Sequence, residues 1–278
     1  MTYVSPNCIS FWLPRINGRV PTPRTHILTP AFPLGMLFDH GVRPPGFDDY
    51  LRCIRWCCED FGYPCFLRCG QGSGKHDWED CCWIESPDQI ERKVCATVYD
   101  QGMKDLEVDC VAIRERIETV PIFRAFRGFP VTREFRLFVR GSLLPTFRPD
   151  RIRAEDKDVK DFSLAGHFPM PEFDGPAISV YHVQPYWPAA AVEGHTQEGG
   201  YWRDRLAEIS TLSPGEYRKL CLMAGSALLG FDFVEEHDWS MDFLQDVSGA
   251  WWLTDMATAR SSYRWDPDFP VVAGGNSL

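Results

Sequence analysis

Three features of this 278-residue chain predict an α+β fold, with helices and antiparallel strands in separate stretches. Tyr50, Leu51, Ile54, Cys57, Cys58 and Phe61 recur at three- and four-residue steps, the spacing of one helical face. Residues 133–139 alternate instead, with Phe135, Leu137 and Val139 on one side and Arg136 and Phe138 on the other, as a strand requires. Near the C-terminal end, residues 240–244 and 251–255 flank Ser248-Gly249 and read as a β-hairpin.

The remaining elements follow in order. Residues 1–45 are rich in Pro and Gly without a sustained period, and are expected to lie over the fold as an arm. A helix over 47–61 stops at Gly62. Residues 64–68 form a short buried strand leading into Gly70-Gln71-Gly72-Ser73-Gly74-Lys75, a flexible loop ending on a cation. Ser86 as cap, Pro87 in the first turn and Asp88 at the positive helix end mark a helix over 86–99. Residues 108–117 read as a strand, and Gly141-Ser142 turns the 133–139 strand back into 143–148. The stretch 149–200 is Pro-rich and aperiodic, the kind of long irregular segment that often serves as a lid or binding segment. A helix then opens at Ser213-Pro214, buries Tyr217, Leu220, Cys221, Ala224, Ala227 and Leu228, and ends at Gly230.

Bulk properties exclude several classes. The net charge of −10 rules out a uniformly basic surface, so no nucleic-acid partner is expected. No apolar run approaches the roughly 18 residues of a membrane span, and no basic segment followed by an apolar stretch opens the chain. No membrane association and a cytoplasmic location are therefore expected. Eleven cysteines, an odd number with no Cys-x-x-Cys pair, favour buried reduced thiols over disulfides or structural zinc. Arg124, Arg127, Arg133, Arg136, Arg140 and Arg148 crowd one stretch and are expected to form a phosphate-binding patch.

Two features carry chemistry. A turn centred on Ser248-Gly249 places Asp242 opposite Asp255, with Cβ atoms about 4.5–5.5 Å apart. Like charges so placed repel unless a hard cation lies between them, and magnesium held by one or two carboxylates plus phosphate oxygens fits. The glycine loop lets backbone N–H groups approach phosphate, and Lys75 adds charge. Its spacing matches neither the P-loop, because His76 follows Lys75, nor the dinucleotide fingerprint.

In order, a strand with a basic residue, a Gly-rich loop, a strand ending Ala112-Ile113-Arg114-Glu115-Arg116-Ile117, an Arg-bearing hairpin, a helix and a hairpin with Asp on each strand resemble the ATP-grasp superfamily. The likeness runs from about residue 64 to 263 and is strongest to the small RimK-like ATP-grasp proteins of bacteria and phages and to the related initiation-factor assembly proteins. It implies an ATP-grasp fold, with nucleotide held between two α+β subdomains with antiparallel sheets. Residues 1–45 would be an arm, 46–110 the first subdomain with the Gly-rich loop, and 111–278 the second, including the 149–200 insertion.

The resemblance further implies ATP and Mg2+ as cofactors. Arg68 would be the first phosphate-binding cation, Gly72, Gly74 and Lys75 the loop over the phosphates, and Ile113 to Glu115 the hinge meeting adenine, with Glu115 or Glu118 near the ribose. Arg136 would face the transferred phosphate, making Arg136 and Lys75 the catalytic cations. Asp242 and Asp255 would bind metal. Ala257 stands where the family usually has Asn. The implied activity is ATP-dependent carboxylate–amine ligation through an acyl phosphate, acting on a small-molecule or peptide carboxylate and an amine acceptor. The alternatives are an ATP-binding assembly protein that holds a protein partner, and a small-molecule kinase.

Overall fold

The N-terminal stretch, expected to lie over the fold as an irregular arm, contributes to the cores of both halves. The computed structural model describes residues 4–38, 42–142, 177–196, 199–231 and 238–265. Within the N-terminal stretch, α1 (Ile9–Ile16) buries Ile9, Trp12, Leu13 and Ile16, spaced so that all four share one face. Ile9 and Ile16 are completely buried, and each such side chain contributes about 1.5–3 kcal/mol relative to exposure. That is enough to dock a short helix that Pro14 would otherwise weaken. After it, β1 (Thr25–Leu28) joins a sheet.

That first sheet has four strands in the order β1-β4-β2-β3, with β2 (Cys65–Cys69), β3 (Trp83–Ile84) and β4 (Val111–Arg114). Every pairing within it is antiparallel. The strand expected over 108–117 shortens to β4, which pairs with both β1 and β2. The expected boundary between residues 110 and 111 therefore cuts through this sheet. Helices α2 (Phe47–Phe61) and α3 (Ile90–Met103) bury Ile54, Cys57, Cys58, Val94 and Val98 against Leu67, Val111 and Ile113. Strand alternation sends Phe66, Arg68 and Arg114 to the opposite face.

A small hairpin, β5 (Phe123–Ala125) and β6 (Phe129–Val131), turns through Phe126, Arg127 and Gly128, all at positive φ. It leads into β7 (Glu134–Ser142), the central strand of a second antiparallel sheet. The order there is β10-β9-β7-β8, with β8 (Ala177–Pro185) at one edge. The 149–200 stretch is thus not one irregular insertion: residues 177–185 are a regular strand, and 143–176 lie outside the described residues. Trp187 and Val192, the latter at the end of the one-turn α4 (Ala189–Val192), pack with α5 (Trp202–Ile209) against the small hairpin.

Helix α6 (Pro214–Leu228) starts on a complete capping box. The Ser213 hydroxyl accepts from the Glu216 N–H, and the Glu216 carboxylate accepts from the Ser213 N–H. With α1 it covers one face of the second sheet, burying Phe135, Leu137, Val139, Met241 and Phe243. The hairpin of β9 (Asp238–Gln245) and β10 (Trp251–Thr258) completes that sheet. All eleven cysteines are free, nine of them buried. No helix among the described residues is long and apolar enough to cross a membrane.

Candidate functional site

Between the two sheets lies a cleft of about 710 Å³, lined by Arg68, Lys75, Arg114, Glu115, Glu134 and Asp255 among others. Two buried arginines mark its first wall. Arg68, on β2, donates from Nη1 to Asp255 Oδ1 at 2.9 Å and from Nε to the Cys69 carbonyl at 3.1 Å. Arg114, on β4, donates from Nε to Thr25 Oγ1 at 3.1 Å and from Nη1 to the Thr254 carbonyl. The Nη2 atoms of both arginines are buried with no hydrogen-bond partner among the described residues. Burial pushes the Arg114 guanidinium down to about 9, and the neighbouring Arg68 charge pushes the same way, against the pull of Asp255.

The opposite wall is built differently. Gly74 adopts φ +67°, a backbone setting that turns the loop so that Lys75 begins a short 3₁₀ turn pointing into the cleft. Lys75 Nζ lies 2.6 Å from Oε1 of the buried Glu134. Burial alone would lower the Lys75 amine, but Glu134, and then Tyr186 and Asp242, hold it above the usual lysine range. Beside this pair, Arg136 grips Asp242 with two parallel hydrogen bonds, Nε to Oδ1 at 2.7 Å and Nη2 to Oδ2 at 2.8 Å. The Tyr186 ring lies under both cations, 4.4 Å from Lys75 and 4.9 Å from Arg136.

Asp242 and Asp255 are paired across the hairpin, as the turn predicts, but by a different route. The turn starts one residue off the expected centre, pairing Gln245 with Trp251, and a bulge at Thr254 restores the register at Asp255. The bulged residue is used. Its carbonyl accepts from Arg114, and its hydroxyl donates to the Asp242 carbonyl at 3.1 Å. The expected repulsion between the two acids is relieved by arginines: Arg136 neutralises Asp242 and Arg68 neutralises Asp255.

The other expected positions divide. Glu115 lines the cleft, but Arg24 binds its carboxylate through the backbone N–H and Nε, each at 2.7 Å. The Glu115 N–H donates to the Arg24 carbonyl, and Ile113 is paired on both sides within the sheet with its side chain in the core. The expected hinge backbone is therefore engaged as far as Glu115, and Arg116 and Ile117 continue the wall. Glu118 is exposed and does not line the cleft; its carbonyl accepts from the Val247 N–H. Gly72 is held by packing, since a Cβ there would overlap the Gln101 side chain.

The arginine stretch does not form one patch. Arg127 meets Asp80, Arg133 meets Glu216, Arg140 meets Asp238 in bidentate fashion, and Arg148 lies outside the described residues. Arg124 lines the cleft and donates to the Gly128 carbonyl.

Three side chains of the site lay beyond the sequence expectations: Glu134, Tyr186 and Arg114, the last falling within the expected hinge but given no side-chain role there. Glu134 was within reach, because alternation places it on the same face as Arg136. Arg114 carried the weaker signal of a charge in an apolar strand. Tyr186 carried none.

The donor set fits an anion, because both arginines line the cleft and each holds a buried N–H group with no acceptor among the described residues. For a hard cation the oxygen donors are of the right type, but each is held by an arginine or lysine. No group of three or more His, Cys, Asp or Glu side chains converges among the described residues.

No protein-family profile and no curated protein matches the chain. Among solved structures, 146 chains match. A carboxyaminoimidazole ribonucleotide synthase from Aspergillus clavatus, complexed with ATP, aligns at 11% identity and TM-score 0.45, covering 91% of this chain and 44% of the synthase. A RimK-domain ATP-grasp protein from Sphaerobacter thermophilus aligns at 11% identity and TM-score 0.39, covering 90% and 58%. C-terminally truncated Cdc123 from Schizosaccharomyces pombe aligns at 9% identity and TM-score 0.49, covering 93% and 87%. The chain spans about half the length of the synthases and ligases it matches. The RimK-domain protein is described as an ATP-grasp protein, and the synthase was solved with ATP bound.

Proposed function

We propose that this chain binds ATP in the cleft between its two sheets and uses it to join a carboxylate to an amine, releasing ADP and phosphate. The observation that carries this reading is the convergence of Arg68, Arg114 and Lys75 with Glu134 and Asp255 on one cleft. Its volume lies within the roughly 300–1,000 Å³ typical of small-ligand sites. Arg68 and Lys75 would bind phosphate oxygens, and Arg136 would neutralise charge developing on the transferred group. Magnesium, held by Asp242 and Asp255 once their arginines turn toward phosphate, would supply charge neutralisation at the phosphoryl oxygens. Ligation needs no protein nucleophile: positioning and charge compensation suffice, and these side chains supply both. The carboxylate and amine are a small molecule or peptide and its acceptor.

Thermal unfolding tests the reading. ATP with magnesium at a hundredfold over its dissociation constant stabilises by about 2.7 kcal/mol. At about 2–4 °C per kcal/mol for a chain of this size, the melting temperature should rise roughly 5–10 °C. Absence of a shift in a folded sample at millimolar ATP and magnesium defeats the nucleotide reading. If ATP binds but no acid and amine pair drives ADP release in a broad screen, the ligase assignment is lost and the binding assignment stays.

A further inference from the structure

We infer that Arg114 is an anion-binding residue, forming with Arg68 a two-guanidinium subsite for a polyphosphate. For the identity of that anion the inference rests on the nucleotide reading above.

Arg114 is 4% exposed and Arg68 1% exposed, and both line the cleft. At neutral pH both guanidiniums carry their proton, so both positive charges are buried. Among the described residues one carboxylate, Asp255, makes an ion-pair contact with them, and that contact is with Arg68; Glu115 acts on Arg114 without one. A buried charged donor without an acceptor is among the costliest features a fold can carry, and here two occur on adjacent strands.

A purely structural role for Arg114 accounts for part of its geometry. Nε and Nη1 tie β1 to the bulge in β10 through Thr25 Oγ1 and the Thr254 carbonyl. That role leaves Nη2 without an acceptor among the described residues, like the Nη2 of Arg68 on the neighbouring strand of the same wall. A phosphate group presents several acceptor oxygens and a negative charge, and guanidinium N–H groups match it in geometry and sign. One phosphate group accepting from both arginines would satisfy the two orphaned donors. Its negative charge would also counter the burial, and after it the Arg68 charge, that hold the Arg114 guanidinium below the usual arginine range.

The test uses the full chain, with inorganic tripolyphosphate in metal-free buffer at low ionic strength and, separately, with ATP. Arg114→Met keeps the aliphatic stem and removes the charge. Arg114→Lys keeps the charge and removes the fork. Without anion, Arg114→Met should melt near the wild-type temperature, because relief of an incompletely satisfied buried charge offsets the lost hydrogen bonds to Thr25 and Thr254. Its tripolyphosphate affinity should fall tenfold or more, with Arg114→Lys weakened about three- to tenfold.

Tripolyphosphate binding by Arg114→Met within twofold of wild type overturns the inference. Should that variant not fold, unchanged affinity in Arg114→Lys overturns it equally. Wild-type binding of tripolyphosphate but not ATP would keep the Arg114 subsite and remove the nucleotide reading. ATP binding that Arg114→Met leaves intact would do the reverse, and wild-type binding of neither removes both.

Discussion

The two walls of the cleft handle buried charge in opposite ways. On the second sheet, each buried acid has its own cation: Glu134 holds Lys75, and Asp242 holds Arg136 with two hydrogen bonds. On the first sheet, two buried guanidiniums share one ion-pair contact, Arg68 with Asp255, and each keeps an N–H group without an acceptor among the described residues. A matched buried pair adds little net stability, yet breaking it is costly because one charge is stranded. The second wall is therefore complete in itself, whereas the first has capacity left for an anion. The difference separates cations that must part from an acid to reach a ligand, Lys75 and Arg136, from guanidiniums that already hold a spare donor.

The largest expected effect comes from stranding a charge on the matched wall. Glu134→Ala leaves Lys75 without its carboxylate and should cost about 3–5 kcal/mol. That corresponds to a fall of roughly 6–20 °C in melting temperature, read by calorimetry. A loss under a couple of degrees would show that Lys75 swings out to solvent and that this wall is not the rigid one.

Asp255→Asn should have an intermediate effect, about 1–3 kcal/mol, because it strips Arg68 of its carboxylate while leaving a polar group in place. Asp255 is about a quarter exposed, which keeps the cost below that of Glu134→Ala. Tripolyphosphate should restore part of the loss by taking over as partner for Arg68. A variant more stable than wild type would mean that repulsion between Asp242 and Asp255 dominates, and the first wall would then not be short of negative charge.

The smallest effect concerns a pair outside the cleft, Arg133 with Glu216. The Arg133 hydrogen bond, then those of Ser213, pull the Glu216 carboxyl down to about 2 against the effect of burial. Its folded value thus lies below the unfolded value of about 4.3. The stabilisation is fully present above that pH and is lost as pH falls from about 4.3 toward 2. Both side chains are partly solvent-exposed, so screening should hold the effect to under about 1 kcal/mol. Glu216→Gln should melt below wild type at pH 6, with the gap narrowing through pH 3 and closing near pH 2. A gap constant with pH would assign the loss to the cap geometry rather than to charge.

Much of the scaffold was legible locally. The apolar spacing of α2 set its limits at Phe47–Phe61, and Ser213-Pro214 with Glu216 set the start of α6, because helical periodicity and capping act within a few residues. The glycine loop and the hairpin bearing Asp242 and Asp255 were legible for the same reason. Tertiary structure decided what those elements meet. The N-terminal segment reads as irregular alone but becomes a core helix and an edge strand once two other elements offer apolar faces. The strand at 177–185 exists through pairing with β7. The bulge at Thr254 aims a carbonyl at Arg114, an arrangement invisible to any count along the chain. The partners of the charges were least legible of all: Lys75 and Glu134 are 59 residues apart, and Arg136 and Asp242 are 106 apart. Residue type and strand alternation determine that such groups share a face. Which cation neutralises which acid, and which guanidinium is left with an unused donor, follows only when two sheets close on one another and exclude water.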